Sequence, residues 1–334
     1  MKNRVGLFCL LFSIILILFG IVATSIGVVT IPFHQVIQII LAQFGIGDVS
    51  QIPENYVLTV TQLRLPRIIM SLLAGSSLAI CGAVFQSVFR NPICDPYILG
   101  ISSGASLGAA IAFILGLDIL IFGITIPALI TALLTLFLIL GIAGMSKRNS
   151  NDTLLLTGIA VNFLISAVIT LLIVLNKQEM QKIIFWTMGS LASVSYKEIL
   201  FFLPIFFGSV FMLFFYSKDL NIMQLGGDTA KTLGVNSKKI TIISLFISSL
   251  LIAAVVSICG VIGFIGLIVP HIVRIIWGNN NRILFIFSIF IGALFLLIAD
   301  TLARTLAINS ELPVGSITAI AGAPYFIYLL LRRK

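Results

Sequence analysis

The sequence predicts an all-α integral membrane protein with about ten transmembrane helices, and three observations carry that prediction. Of 334 residues, 60% are hydrophobic and 9% charged, with a mean hydropathy of +1.21, which is more apolar than the surface of a water-soluble fold allows. Apolar runs long enough for a helical crossing, about 20 residues each, recur from Val5 to Leu331. The runs are continuous, whereas the strands of a membrane β-barrel alternate polar and apolar residues.

Taken in order, the runs place helices near 5–29, 64–89, 97–116, 120–145, 153–175, 198–216, 239–258, 262–277, 283–303 and 313–331. The first follows Lys2 and Arg4 like a secretory signal, but it is too long for an h-region and no small-residue cleavage site follows, so it reads as an uncleaved helix. The second opens on Leu63-Arg64-Leu65-Pro66-Arg67, and the third carries glycine every fourth residue. The fifth follows the turn Ser150-Asn151-Asp152, and the long polar stretch Lys218 to Lys239 separates the sixth from the seventh. Pro270 interrupts the eighth and Asp300 lies near the end of the ninth.

Lys and Arg mark the cytoplasmic side of a membrane protein. With both termini inside, fourteen of the twenty basic residues fall on that side, and only Arg64, Arg67, Lys177, Lys182, Lys197 and Arg304 fall outside. The net charge of +9 is therefore read as topology, not as a nucleic-acid surface. Cys9, Cys81, Cys94 and Cys259 form no CxxC pair, and His34 and His271 stand far apart, so neither a disulfide framework nor a metal site of this chain's own is expected.

Four segments carry chemistry. Arg64 and Arg67 place two guanidinium groups at the outer mouth of the second helix, where the planar fork suits a carboxylate; snorkelling or headgroup anchoring is the alternative. Arg304 is a third candidate, although Asp300 stands at i,i+4 spacing and pairing between them is the other reading. The turn Asn91-Pro92-Ile93-Cys94-Asp95-Pro96 cannot continue a helix, and after it Gly100, Ser103, Gly104 and Gly108 leave one helix face nearly bare, for a passing solute or for close packing. In Leu225-Gly226-Gly227-Asp228-Thr229-Ala230-Lys231-Thr232-Leu233-Gly234-Val235, Asp228 can cap a short helix and Gly234 end it. Ala230, Leu233 and Val235 then form a small apolar surface for a partner's groove, with an ordinary loop as the alternative. Lys231-Thr232 lacks the glycines of a phosphate loop. The fourth segment is Gly260-Val261-Ile262-Gly263-Phe264-Ile265-Gly266-Leu267-Ile268-Val269-Pro270-His271-Ile272-Val273-Arg274, in which a proline inside a membrane helix frees a carbonyl.

In this order the segments resemble the permease subunits of type II ABC importers for ferric siderophores, haem and vitamin B12. The resemblance covers Leu63 to Leu331 and rests on R-L-P-R, N-P-x-x-D-P, L-G-x-S-S-G-A, L-G-G-x-x-A-x-x-L-G-V, G-F-I-G-L-I-V-P-H-I-x-R, L-P-V-G and G-A-P. It implies a ten-helix permease bundle in the bacterial cytoplasmic membrane that pairs with a second copy or a close paralogue. It also implies two cytoplasmic ATP-binding-cassette ATPase subunits and an extracytoplasmic solute-binding protein. No cofactor and no catalytic role of the chain itself are implied. Ferric siderophore or a related metal chelate is the cargo implied first, haem or cobalamin second.

Residue by residue, the resemblance implies that Arg64, Arg67 and Arg304 receive acidic knobs of the binding protein. Asn91 and Ile93 belong to the inner gate, with Asn151 and Asp152 as its second part. Gly226 to Val235 correspond to the coupling helices seated on the ATPases. Cys94 stands where relatives commonly carry alanine, a departure that leaves the gate reading intact. An ion-coupled secondary transporter would place ionisable residues deep in its spans, whereas the acidic residues here fall mostly in loops or at expected helix ends; the HExxH, GxSxG or paired membrane aspartates of an intramembrane enzyme do not occur.

Overall fold

The computed structural model describes residues 2–27, 29–145, 151–306 and 311–332. The chain runs α1 (Lys2–Ser25), α2 (Phe33–Ala42), α3 (Glu54–Leu58), α4 (Leu65–Val88), α5 (Ile101–Ile114), α6 (Thr125–Met145), α7 (Asn151–Leu175) and α8 (Met180–Thr187). It continues through α9 (Tyr196–Phe215), α10 (Ser217–Gln224), α11 (Gly227–Thr232), α12 (Ser237–Cys259), α13 (Ile265–Trp277), α14 (Asn281–Thr305) and α15 (Val314–Arg332). No strand occurs among the described residues. Seven of these helical stretches are long and apolar enough to cross a bilayer, and the shorter apolar helices α5, α13 and α15 occupy the other three expected positions.

The second expected helix begins ten residues early. A π-helical turn, Thr59–Arg64, joins α3 to α4 into one continuous stretch from Glu54 to Val88. The eighth begins late, because Gly260 to Phe264 are not helical and both Gly260 and Phe264 take φ 68°. Non-helical backbone at membrane depth must be satisfied from within the protein. Here the Tyr97 hydroxyl donates to Ile262 O at 2.9 Å, and the Ser190 amide donates to Cys259 O at 2.8 Å.

α4 is the centre of the bundle, packed against α9, α12, α13 and α14 and buried along nearly its whole length. Glycine makes that closeness attainable. A Cβ on Gly82 would run into the backbone of Gly266 in α13, and one on Gly75 into the backbone of Gly292 in α14, so helix backbones touch where lipid alone gives helices little reason to associate. Pro270 has no amide to offer the carbonyl four residues back. That freed carbonyl, Gly266 O, instead accepts from Gln86 Nε2 at 3.3 Å, and Leu267 O accepts from the same nitrogen at 3.0 Å.

With 24 residues, α4 spans about 36 Å, so Arg67 and Arg90 lie at opposite ends of the bundle. Arg304 joins Arg67 at the first end, and Lys231 and Ser237 join Arg90 at the second. At the α8 connection, Lys182 bridges Asp118 and Glu179, each at 3.0 Å, and those two carboxylates hold its ammonium above the ordinary range.

Candidate functional site

At the first end the three expected arginines come together, but none is presented to solvent. Arg64, Arg67 and Arg304 are 7%, 6% and 4% exposed. Arg64 Nη1 donates to Thr24 O at 2.6 Å and Ser25 O at 3.2 Å, while Nη2 donates to Val29 O. Gly27 leaves the room this needs, since a Cβ there would press on the guanidinium. Arg67 Nε reaches Asp300 and its Nη1 lies 2.6 Å from Glu311 Oε2. Arg304 Nε stands 3.2 Å from the other Asp300 oxygen, as the i,i+4 spacing allowed, and Arg304 Nη1 is buried without a hydrogen bond among the described residues.

Arg67 and Arg304 pair with two carboxylates, Asp300 and Glu311, while Arg64 beside them meets only backbone carbonyls, so among the described residues the cluster of three guanidinium groups keeps one unbalanced positive charge. Asp300 is fully buried, whereas the Glu311 side chain is 41% exposed. An incoming acid therefore has both a charge to neutralise and a removable carboxylate to replace. The part played by Glu311 was not read from the sequence, because nothing in its spacing ties it to Arg67, 244 residues away.

At the middle of the bundle, the expected bare face of α5 needs correcting. Gly104 and Gly108 are closed off by α6, where Thr135, Thr131 and the Pro127 carbonyl occupy the space a side chain would need. Close packing accounts for these two glycines and for the turn at Gly100 (φ 66°), which packs on Ile139 of α6. The open side of α5 is its hydroxyl side. A cleft of about 310 Å³ is lined by Ser102, Ser103 and Ser106 of α5, by Ser166, Ile169 and Thr170 of α7, and by Thr187 and Val261.

Several of these hydroxyls donate back to their own helix, Ser106 to Ser102 O at 2.9 Å, Ser103 to Gly100 O at 2.8 Å and Thr170 to Ser166 O at 2.8 Å. Oxygen lone pairs remain for the cleft, and among the described residues no charged side chain lines it. Such a wall solvates a polar solute without gripping it. The pairs 102/106 and 166/170 stand at i,i+4 spacing, a signal that was present in the sequence.

At the second end, Asn91 is exposed and its Oδ1 accepts the Ile93 amide at 3.1 Å, which fixes the turn. Asp95 caps the following 3₁₀ turn by accepting the Tyr97 amide at 2.8 Å. This 3₁₀ turn rests on α7, where a Cβ on Gly158 would meet Ile98 O. Asp152 is exposed in the first turn of α7, and the side chain of Asn151 lies outside the described residues.

The segment expected to couple to an ATPase forms a short helix, α11, with two corrections. Asp228 does not cap it; Gly226 (φ 127°) stands at the cap position with no side-chain bond, and Asp228 is fully exposed, 3.9 Å from Lys231. Ala230 and Val235 do not face outward either, being 0% and 8% exposed. The Val235 amide donates to Ala230 O at 2.9 Å and the Gly234 amide to Lys231 O at 3.0 Å. Gly234 takes φ 80°, and this is the Schellman arrangement, in which residues at the places of Ala230 and Val235 pack together. Leu233, 57% exposed, and Leu225, 66% exposed, are the outward apolar groups. The backbone of Gly227 starts the helix, and its surroundings lie outside the described residues.

A family model described as the FecCD transport family matches residues 14–332. The cobalamin import system permease protein BtuC of Halobacterium salinarum is 40% identical over 292 residues, 87% of this chain and 77% of that protein. The Fe(3+)-citrate import system permease protein YfmE of Bacillus subtilis is 34% identical over 332 residues, 98% of this chain and 96% of that one. Among solved structures, an inward-facing conformation of a protein assigned to the metal-chelate type of ABC transporter superposes with a TM-score of 0.85 at 30% identity, covering 98% of this chain and 99% of the other.

Proposed function

The chain belongs to the FecCD transport family, and from that premise we propose that it is the permease of an ATP-binding-cassette importer that moves a metal chelate across the cytoplasmic membrane. It is a multi-pass membrane protein. Ferric siderophore or ferric citrate is the cargo favoured here, as the nearly full-length match to YfmE supports, and cobalamin or haem is the second reading, supported by the match to BtuC.

One observation carries the mechanism: the cleft between α5 and α7 is walled by hydroxyls and holds no charge. A chelate whose metal charge is already neutralised by its own ligand needs passage, not a tight site, and selection of the cargo then belongs to an external binding protein. The cluster at the first end, with its unbalanced positive charge, is the surface at which acidic groups of that protein dock, Arg67 being reached once Glu311 gives way and Arg64 and Arg304 standing beside it. At the second end Leu225, Leu233 and the exposed side of α11 sit on an ATPase subunit, and the Asn91 to Pro96 turn with Ile93 and the start of α7 closes the inner gate. Both termini are cytoplasmic in this reading, and a second permease copy or close paralogue completes the pathway. ATP binding and hydrolysis then bias two packings of one bundle.

The test is reconstitution in sealed vesicles with the ATPase subunits and the binding protein. Import of ferric siderophore that requires both ATP and the loaded binding protein is expected. Concentrative uptake driven by a proton or sodium gradient, with neither present, would overturn the reading.

A further inference from the structure

A cavity of about 520 Å³ opens at the second end of the bundle, between the last turns of α6, the start of α12 and α11. Its wall carries three cations, Arg90, Lys231 and Lys238, beside an apolar side that includes Leu140, Ala143 and Ile242. Among the described residues no carboxylate lines it. Lys231 has only the fully exposed Asp228, 3.9 Å away, and Arg90 and Lys238 form no ion pair among the described residues. Arg90 takes φ 51°, a left-handed conformation uncommon for a residue other than glycine.

The apolar side leads outward. Ile242 is 42% exposed, and beyond it Phe137 and Phe246 lie on the surface with ring centroids 6.0 Å apart. The Ser237 hydroxyl, also on the wall, has no hydrogen-bond partner among the described residues. A soluble anion would satisfy the cations and leave the aliphatic wall wet, whereas an apolar segment would leave three charges unpaired. An amphiphile with an anionic head matches both, as basic pockets at membrane helix ends do.

We propose that this cavity holds one anionic phospholipid, its phosphate between Arg90, Lys231 and Lys238 and its acyl chains along Ile242 and Phe246. The site is separate from the solute cleft and is read without ATP or cargo, so its failure and that of the import reading are distinguishable.

The test is native mass spectrometry of the intact permease assembly taken from membranes of equimolar phosphatidylglycerol and phosphatidylcholine. Wild type should retain phosphatidylglycerol with a preference of about tenfold or more. Arg90→Gln/Lys231→Gln/Lys238→Gln should lose it, and Lys177→Gln/Lys182→Gln, at the α7–α8 connection, should keep it. Should the triple variant fold poorly, Gly144→Leu fills the cavity without touching a charge, since a Cβ there meets nothing within 4 Å, and it should lose the lipid too. Equal retention of both lipids, retention that survives the triple variant or Gly144→Leu, or displacement of the lipid by inorganic phosphate or by the ATPase subunit would each overturn the proposal.

Discussion

Arg67 Nε lies 2.8 Å from one carboxylate oxygen of Asp300 and 3.1 Å from the other, joining the first turn of α4 to the last turns of α14 across 233 residues of sequence. Asp300 also faces Arg304, so one buried acid serves two guanidinium groups. Asp300→Ala would leave both without it, and breaking a buried pair from one side costs about 3–5 kcal/mol. Thermal unfolding in detergent should show that loss, and a change smaller than about 1 kcal/mol would mean the cluster is not structural.

Glu311 holds the outer nitrogen of Arg67 while 41% exposed. If an acid of the binding protein takes its place, Glu311→Gln should strengthen docking at low salt by about 1 kcal/mol, and Arg64→Glu/Arg67→Glu should weaken it through like-charge repulsion. Surface plasmon resonance on the detergent-solubilised assembly reads both, and affinities unmoved by either change count against docking here.

Gly82 touches the Gly266 backbone with no space for a methyl group. Gly82→Ala should force α4 and α13 apart and cost about 1–3 kcal/mol, the usual penalty for overpacking. Gly141→Ala, in α6 where a Cβ meets nothing within 4 Å, is the matched control and should be neutral or better. Equal melting temperatures for the two would refute the contact.

Leu233 points away from the bundle while Ala230 and Val235 point in. Leu233→Asp should therefore leave the fold intact and separate ATP hydrolysis from import. Gly234→Ala acts on α11 itself, since a side chain at φ 80° costs about 1–2 kcal/mol. Normal import by Leu233→Asp would remove Leu233 from the ATPase contact.

The cleft hydroxyls offer a cargo weak contacts worth about 0.5 kcal/mol each. Ser102→Ala/Ser106→Ala/Ser166→Ala/Thr170→Ala, about 2 kcal/mol together, should slow import by up to about thirtyfold while stimulation of the ATPase by the loaded binding protein persists. Unaltered import rates would place the route elsewhere.

The all-helical membrane fold was legible because continuous apolar runs have few other solutions, and ten of them were drawn close to where the helices lie. The departures have local causes. The π turn ahead of α4 reads in sequence as ordinary apolar helix, and the break at Gly260 to Phe264 depends on Tyr97 and Ser190, which come from distant elements. Among site residues, the arginines were legible as a group, but not their burial, because Glu311 and the α1 carbonyls meet them only in three dimensions. Glycine spacing on α5 marked a close contact correctly and a bare wall incorrectly, since periodicity gives a face without saying what covers it. Gly234 was legible as a helix end; that it turns Ala230 and Val235 inward follows from the Schellman bonds.

α4 has one further consequence. Enclosed by α9, α10, α12, α13 and α14 and in backbone contact with the last two, it cannot bow or rotate without moving its neighbours. It therefore behaves as a stiff spine between the arginine cluster and the turn at Arg90. In a saturation screen, tolerance to enlargement should be lowest along its glycines and alanines and much higher on α7, whose side chains are largely uncovered within a single chain.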